Sequence, residues 1–332
     1  MHWVVRRIGQ SIFTVLAVLT ITFTIVRFMP GGPIDYIRAQ LVKSGGSFNQ
    51  DRLNQLVEIH VGMRPDDPLW VQYVDYLANI LQGDLGQSMW YNRPVSDILV
   101  DVVPWTVFLM SVALFITFFL GIGFGAMMAY KEGTNLDFAS STVLTALNSI
   151  PYYIAALLLL YVLSYQLNLF PTNGRVSNST TVGFNVEFIS SVFYHAALPI
   201  ASVVITEAGG WAISMRGNSI QILGEDYLRV AELRGLKQHR IAASYVGRNA
   251  ILPMYTSLMI SIGFLFGGSV VLEEIFAYPG VGYYMLQAVN ARDYPLMMGA
   301  FLVITIAVVI GIFIADLTYG FIDPRIRAGE AE

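Results

Sequence analysis

The chain has 332 residues, a net charge of -4 and no cysteine, and its 13% of charged residues is about half the share usual in a soluble domain. With 55% hydrophobic residues and a mean hydropathy of +0.59, a soluble fold would leave too much apolar surface in water, and disordered chains are apolar-poor and charge-rich. The missing cysteine excludes disulfides, Cys-ligated metal and thiol nucleophiles, the charge is too small to imply a nucleic-acid partner, and what remains is a polytopic membrane protein.

A span needs about 20 mostly apolar residues. Six stretches qualify: 8–29, 106–130, 140–166, 196–215, 250–272 and 296–321. Arg6 and Arg7 precede the first, as they would a signal peptide. Its apolar run is too long for one and no clear A-x-A site follows, so we read a retained span. The region after it carries helix signals. Asn49 or Asp51 could cap a helix bearing Leu53, Leu56, Val57 and His60. Asp67-Pro68 reads as an N-cap with proline at the first helical position, opening a helix with Val71, Val74, Leu77, Ile80 and Leu81 that stops at Gly83.

Basic residues set the orientation. Eleven of the 19 fall in short segments: Arg6, Arg7, Lys131, six between Arg216 and Arg248, Arg325 and Arg327. These segments are predicted to be cytoplasmic, with both termini inside. The expected organisation is an N-terminal span (1–30), an extracytoplasmic helical region (31–103), a core of five spans (104–321) and a cytoplasmic tail (322–332). The core contains a long cytoplasmic loop, 217–249, and an aromatic-rich outer loop, 273–295, broken by Tyr278-Pro279-Gly280.

Several chemistries are missing. No G-x-x-x-x-G-K-[ST] phosphate loop occurs, nor H-E-x-x-H, nor G-x-S-x-G. His2, His60, His195 and His239 are scattered. Gly121-Ile122-Gly123-Phe124-Gly125 lies inside a span and reads as a small-residue packing face. No catalytic residue and no metal site are expected.

The informative segment is 215–253. Gly224-Glu225-Asp226 can start a short helix with its acids at the favourable end. Tyr227, Val230, Ala231 and Arg234 recur at three- and four-residue spacing, and Gly235 ends the helix. On spacing alone this is either a solvated amphipathic loop or a docking helix.

The run Asp226-Tyr227-Leu228-Arg229-Val230-Ala231-Glu232-Leu233-Arg234-Gly235, then Arg248-Asn249-Ala250-Ile251-Leu252-Pro253, resembles the EAA signature of binding-protein-dependent ABC importer permeases. It is most similar to the dipeptide/oligopeptide/nickel branch, whose consensus runs roughly D-Y-(V/I)-R-x-A-x-x-K-G and then R-N-A-(L/I)-L-P. Arg229 stands where the generic motif has Glu, and Arg234 where the branch commonly has Lys. Further matches follow in order along nearly the whole chain: Phe28-Met29-Pro30-Gly31-Gly32-Pro33, Gly83-Asp84-Leu85-Gly86-Gln87-Ser88, Arg93-Pro94-Val95, Ser149-Ile150-Pro151, His195-Ala196-Ala197-Leu198-Pro199, Tyr278-Pro279-Gly280-Val281-Gly282, Arg292-Asp293-Tyr294-Pro295 and Asp323-Pro324-Arg325.

The resemblance implies an all-α permease of the type I ABC importer fold, with six transmembrane helices and a cytoplasmic coupling helix, in a prokaryotic plasma membrane. It implies that Asp226, Tyr227, Arg229, Ala231, Glu232, Arg234, Gly235 and Leu236 couple the chain to an ATPase subunit. Implied partners are a second permease subunit in a heterodimer, two P-loop ATPases and an extracytoplasmic binding protein, with membrane lipids around them. ATP and magnesium belong to the ATPases, and this chain holds no cofactor. The implied cargo is short peptides, with nickel, a cyclic peptide or an oligosaccharide as alternatives. A stand-alone secondary transporter, which needs no long 217–249 loop, and an embedded enzyme are rivals of other classes.

Glu207 sits in the middle of the fourth span, where a carboxylate must face a cavity, a partner or water. It is a candidate for the translocation path, contacting a peptide N-terminus; the other reading is a hydrogen-bonded acid at the subunit interface. Asp316 is read as a structural partner or interfacial group, Arg216 as a positive-inside anchor, Arg27 as snorkelling outward, and Glu273 and Glu274 as solvated loop acids.

Overall fold

A computed structural model describes residues 2–43, 50–61, 67–177, 179–223, 225–264 and 270–322. Asn49, Gly224, Asp323-Pro324-Arg325 and Arg327 lie outside the described residues, as do the side chains of Asp51, Leu53, His239 and Asp316. Among the described residues every regular element is a helix, and the one β contact is an isolated bridge between Gln87 and Pro94.

The order is α1 (His2–Phe28), α2 (Pro33–Lys43), α3 (Gln50–Val61), α4 (Leu69–Leu81), α5 (Val95–Tyr130), α6 (Asn135–Asn148) and α7 (Tyr152–Leu159), which continues as a π-helical segment, Leu160–Gln166. Then come α8 (Val186–Leu223), α9 (Asp226–Leu233), α10 (Gln238–Ile241), a second π-helical segment (Ala242–Gly247), α11 (Arg248–Phe264), α12 (Val270–Ile275), α13 (Val281–Ala291) and α14 (Tyr294–Ile322). Among the described residues four helices, α1, α5, α8 and α14, are long and apolar enough to cross a membrane.

The expected stretch 140–166 is broken. The α6 and α7 axes meet at 88°, and together they make a fifth crossing only if the bent pair is one span. Pro151 explains the break: it has no N–H to donate into α6, and its ring disfavours helical backbone at Ile150. In the region of the stretch 250–272, α11 (Arg248–Phe264) has 17 residues and starts before it, and residues 265–269 are not described. Two expected starts also move outward along the chain. α5 begins at Val95 and runs through Pro104, and α8 begins at Val186 and runs through Pro199.

The chain divides into two compact units. The first comprises Met1–Val107, Phe266–Val270 and Pro279–Phe313. One core there gathers Leu19, Phe23 and Val26 of α1, Ile37, Val57 and Tyr76, and Tyr294, Met298 and Leu302 of α14. Phe23 meets the Tyr73 ring edge-on at 5.3 Å. Arg27, expected to reach outward, has a specific partner: its Nε donates to Oε1 of the buried Gln72 at 3.0 Å. A second core joins Val95, Ile98, Leu99 and Val102 to Val281, Ala288, Leu296 and Ala300. Asp67 is not the cap of α4. Pro68 holds that position, its carbonyl accepting from the Val71 and Gln72 amides, while the Asp67 carbonyl accepts from Gln72 Nε2 at 2.7 Å. Gly83, at φ 78°, turns the chain out of the helix.

The second unit comprises Phe108–Leu265, Val271–Tyr278 and Ile314–Glu332, and α8 is packed there against α6, α7 and α11. Glycines allow the closest approaches. A Cβ on Gly121 would stand 2.3 Å from Trp211 Cβ, and one on Gly125 2.4 Å from the Ala212 carbonyl oxygen. Gly123, between them, meets nothing within 4 Å. Phe118, Met215, Ala250, Met254 and Leu258 complete this core. Arg216 is more than an anchor: its Nε and Nη2 donate to the two carboxylate oxygens of Asp137 at 2.6 and 2.8 Å. This paired geometry ties the end of α8 to the start of α6.

Candidate functional site

Residues 225–249 form a helical hairpin. Glu225 stands at the N-cap of α9 in extended conformation, and Asp226 places a negative charge in its first turn. The end is set by Gly235 at φ 69°. Its amide donates to the Glu232 carbonyl at 2.8 Å, and the Leu236 amide reaches back to the Ala231 carbonyl at 3.3 Å. This paired closure satisfies two carbonyls that a helix end otherwise leaves open. Leu228 and Ala231 are buried with Ile241 and Val246, and Leu236 packs against them. The Tyr227 hydroxyl accepts from Asn249 Nδ2 at 3.0 Å, a further link across the hairpin.

The eight predicted coupling residues therefore divide. Asp226, Tyr227, Arg229, Glu232 and Arg234 are exposed, while Ala231, Gly235 and Leu236 build the helix end and its inner packing. The shared face expected for Tyr227, Val230, Ala231 and Arg234 splits, because Ala231 turns inward with Leu228. Their three-residue spacing was the signal for this inner pair. Leu233 was missed as well: it is 82% exposed, at the same spacing from Val230 as Val230 is from Tyr227. Three apolar side chains thus project from α9 among charges.

An open cavity of about 990 Å³ lies beside α9, within the same unit, with Asp226 and Glu232 at its wall. Met127 and Tyr130 of α5, Met215 and Leu223 of α8, and Leu228 and Arg229 of α9 help to line it. The helix is consequently fastened along the Leu228–Ala231 edge and not packed tightly on every side.

Glu207 is exposed on α8. No hydrogen bond or ion pair engages it among the described residues. A charge left against lipid at mid-bilayer costs about 3 kcal/mol or more, so this face needs water or a partner. One turn along, Gly209 and Gly210 let α6 approach, and the Gly210 amide donates to Asn148 Oδ1 at 3.1 Å.

The outer-loop acids are not both solvated. Glu273 is fully buried, and its carbonyl accepts from the amide of Tyr278, which is buried too. Burial pushes the Tyr278 hydroxyl well above its ordinary pKa; Glu273 adds to this and Arg175 opposes it. Among the described residues no group of three or more His, Asp or Glu side chains could hold a metal ion.

Comparison with known proteins gives consistent matches over nearly the whole chain. Residues 121–328 match the family described as the binding-protein-dependent transport system inner membrane component. Residues 1–110 match the N-terminal region of such membrane components. The oligopeptide transport system permease protein AppB of Bacillus subtilis is 32% identical over 327 residues, covering 98% of this chain and 99% of its own. The dipeptide transport system permease protein DppB of Escherichia coli K12 is 30% identical over 345 residues, with the same coverage. The di/tripeptide permease protein DppB of Pseudomonas aeruginosa is 29% identical over 341 residues.

Proposed function

The chain belongs to the family of binding-protein-dependent transport system inner membrane components, and on that premise we propose that it is a permease subunit of an ABC importer for short peptides. The observation that carries this reading is the end-to-end similarity to relatives named for oligopeptide and dipeptide transport. The chain is a multi-pass membrane protein and a transporter subunit, not an enzyme. Its six spans are α1, α5, the α6–α7 pair, α8, the stretch begun by α11, and α14, with both termini cytoplasmic.

In this reading α9 is the coupling helix. Asp226, Tyr227, Arg229, Glu232 and Arg234, with Val230 and Leu233, enter a groove on one ATPase. Ala231, Gly235 and Leu236 hold the helix in shape. The apolar side chains that α9 exposes support a protein partner over plain solvation. The open cavity beside it supports displacement when the ATPases close on ATP. That displacement swings the spans between inward- and outward-facing states, and a binding protein delivers cargo from outside. A second permease completes the pathway, and Glu207 lines it. ATP and magnesium act in the ATPase chains.

The test is gentle extraction of the tagged chain from native membranes, followed by mass spectrometry of what co-purifies. A second permease with one or two P-loop ATPases is the expected result. Uptake should stop on ATP depletion with the proton gradient clamped. Recovery of this chain alone, still transporting after reconstitution, would overturn the reading in favour of a secondary transporter.

A further inference from the structure

Glu207 of α8 lies three residues, about one helical turn, from Gly210, and Gly210 is where Asn148, the last residue of α6, meets α8. Glu207 and Asn148 are both exposed. The Gly210 amide, three residues beyond Glu207, donates to Asn148 Oδ1 at 3.1 Å. Glycine is required for this approach: a Cβ on Gly209 would stand 2.3 Å from the Leu144 carbonyl oxygen, and one on Gly210 would press on Asn148 at 3.1 Å.

The contact also orients the amide. A backbone N–H can only donate, so the atom facing it is Oδ1, and Nδ2 is left to donate elsewhere. Meanwhile α6 ends at Asn148 and the backbone turns by 88° into α7, so the negative end of the α6 dipole is delivered here. A carboxylate beside a helix C-terminus favours a cation, and the adjacent amide N–H favours a carbonyl oxygen.

The amino terminus of a peptide carries both groups at short separation, an ammonium and the first carbonyl. It carries them whatever its side chains are, which suits a pathway that must pass many sequences. We propose that Glu207 and Asn148 form a subsite for the amino terminus of the transported peptide, Glu207 accepting from the ammonium and Asn148 Nδ2 donating to the first carbonyl oxygen. This deepens, and rests on, the peptide-permease reading above.

The test uses the assembled importer in proteoliposomes, with ATP inside and its binding protein outside, and radiolabelled tri-alanine as probe. Glu207→Gln keeps the shape and removes the charge. Asn148→Asp keeps the acceptor for Gly210 and removes the donor. Loss of a charge-assisted hydrogen bond should lower the initial uptake rate about tenfold for Glu207→Gln. Asn148→Asp should lower it several-fold. The yield of assembled complex should be retained in both. A benzophenone on the first residue of the tripeptide should crosslink near Asn148 or Glu207, and one on the third residue should not.

Wild-type uptake by Glu207→Gln would overturn the subsite, as would equal crosslinking from both ends. Loss of uptake in proportion to loss of assembled complex would also overturn it and assign Glu207 to the subunit interface. If the wild-type importer assembles yet takes up no tri-alanine, the peptide reading falls and the subsite with it. Normal uptake by the wild type and by both variants removes the subsite alone.

Discussion

Ser88 Oγ donates to Asp293 Oδ2 at 2.5 Å, joining two residues 205 positions apart in the first unit. Both are buried. The same carboxylate oxygen accepts from the Trp90 amide at 3.1 Å, and Oδ1 caps α14 by accepting from the Leu296 amide at 3.3 Å. Ser88 Oγ in turn accepts from the Tyr91 amide at 2.9 Å. Each oxygen therefore serves a different element: one closes the 88–91 turn, and the other starts the last long helix. The positive end of α14 further stabilises the buried carboxylate.

Removing the Ser88 hydroxyl leaves Oδ2 short of a donor and the Tyr91 amide short of an acceptor. Hydrogen bonds to charged groups are worth about 1.5–3 kcal/mol each. Ser88→Ala should destabilise the protein by about 2 kcal/mol, and Ser88→Thr, which keeps a hydroxyl, by clearly less. Thermal unfolding of the detergent-solubilised complex reads this directly. Equal midpoints for wild type and Ser88→Ala would mean the clasp adds nothing.

The sequence already held the membrane class and most helices, because a long apolar run has few folded fates. It also held the short α9 helix and its end at Gly235, but not the hairpin, whose inner face is Leu228 and Ala231. What it concealed were partners far along the chain. Asp137, which holds Arg216, lies 79 residues earlier, and Gln72, which holds Arg27, lies 45 residues later. Glu273 looked like a solvated loop acid because nothing local marks its burial. Pro151 did signal the break between α6 and α7, but apolar residues on both sides masked it. Glu207 was conspicuous as a lone acid in a span, whereas nothing in the sequence ties Asn148 to Gly210, 62 residues later and one turn from that acid.

The three glycines of 121–125 separate packing from mere flexibility. Gly121→Leu and Gly125→Leu must push α8 away, since even a Cβ would collide with Trp211 or Ala212. Overpacking of this kind costs about 1–3 kcal/mol. Both variants should reduce the amount of folded complex recovered from membranes. Gly123→Ala, with open space around it, should match the wild type. Equal recovery of all three variants would remove the packing seam.

The Asp137–Arg216 pair predicts a rescue. Asp137 is nearly buried, so Asp137→Arg places a second cation against the Arg216 guanidinium. Arg216→Asp does the converse with two carboxylates. Each single reversal should sharply lower the level of folded protein in the membrane, and the double reversal should restore much of it. A double variant no better than the worse single would show that the surrounding amides and hydroxyls (Gly133 N and Ser141 Oγ also reach Asp137) fix the pair's polarity.

The two sides of α9 should fail in different ways. Leu228 is buried in the hairpin, and truncating such a leucine costs about 2–5 kcal/mol. Leu228→Ala should therefore loosen the hairpin itself, seen as faster proteolysis between 217 and 249. Leu233 is 82% exposed and touches little of its own chain. Leu233→Glu should leave proteolysis and membrane insertion unchanged while the ATPase subunits are lost during purification, along with ATP-driven uptake. The distinction follows from where each side chain points, and it separates a docking face from a solvated one. If Leu233→Glu retains its ATPases at wild-type ratio and transports normally, the exposed apolar side of α9 is not the surface that meets them, and the contact must run through Arg229 and the acidic side of the helix instead.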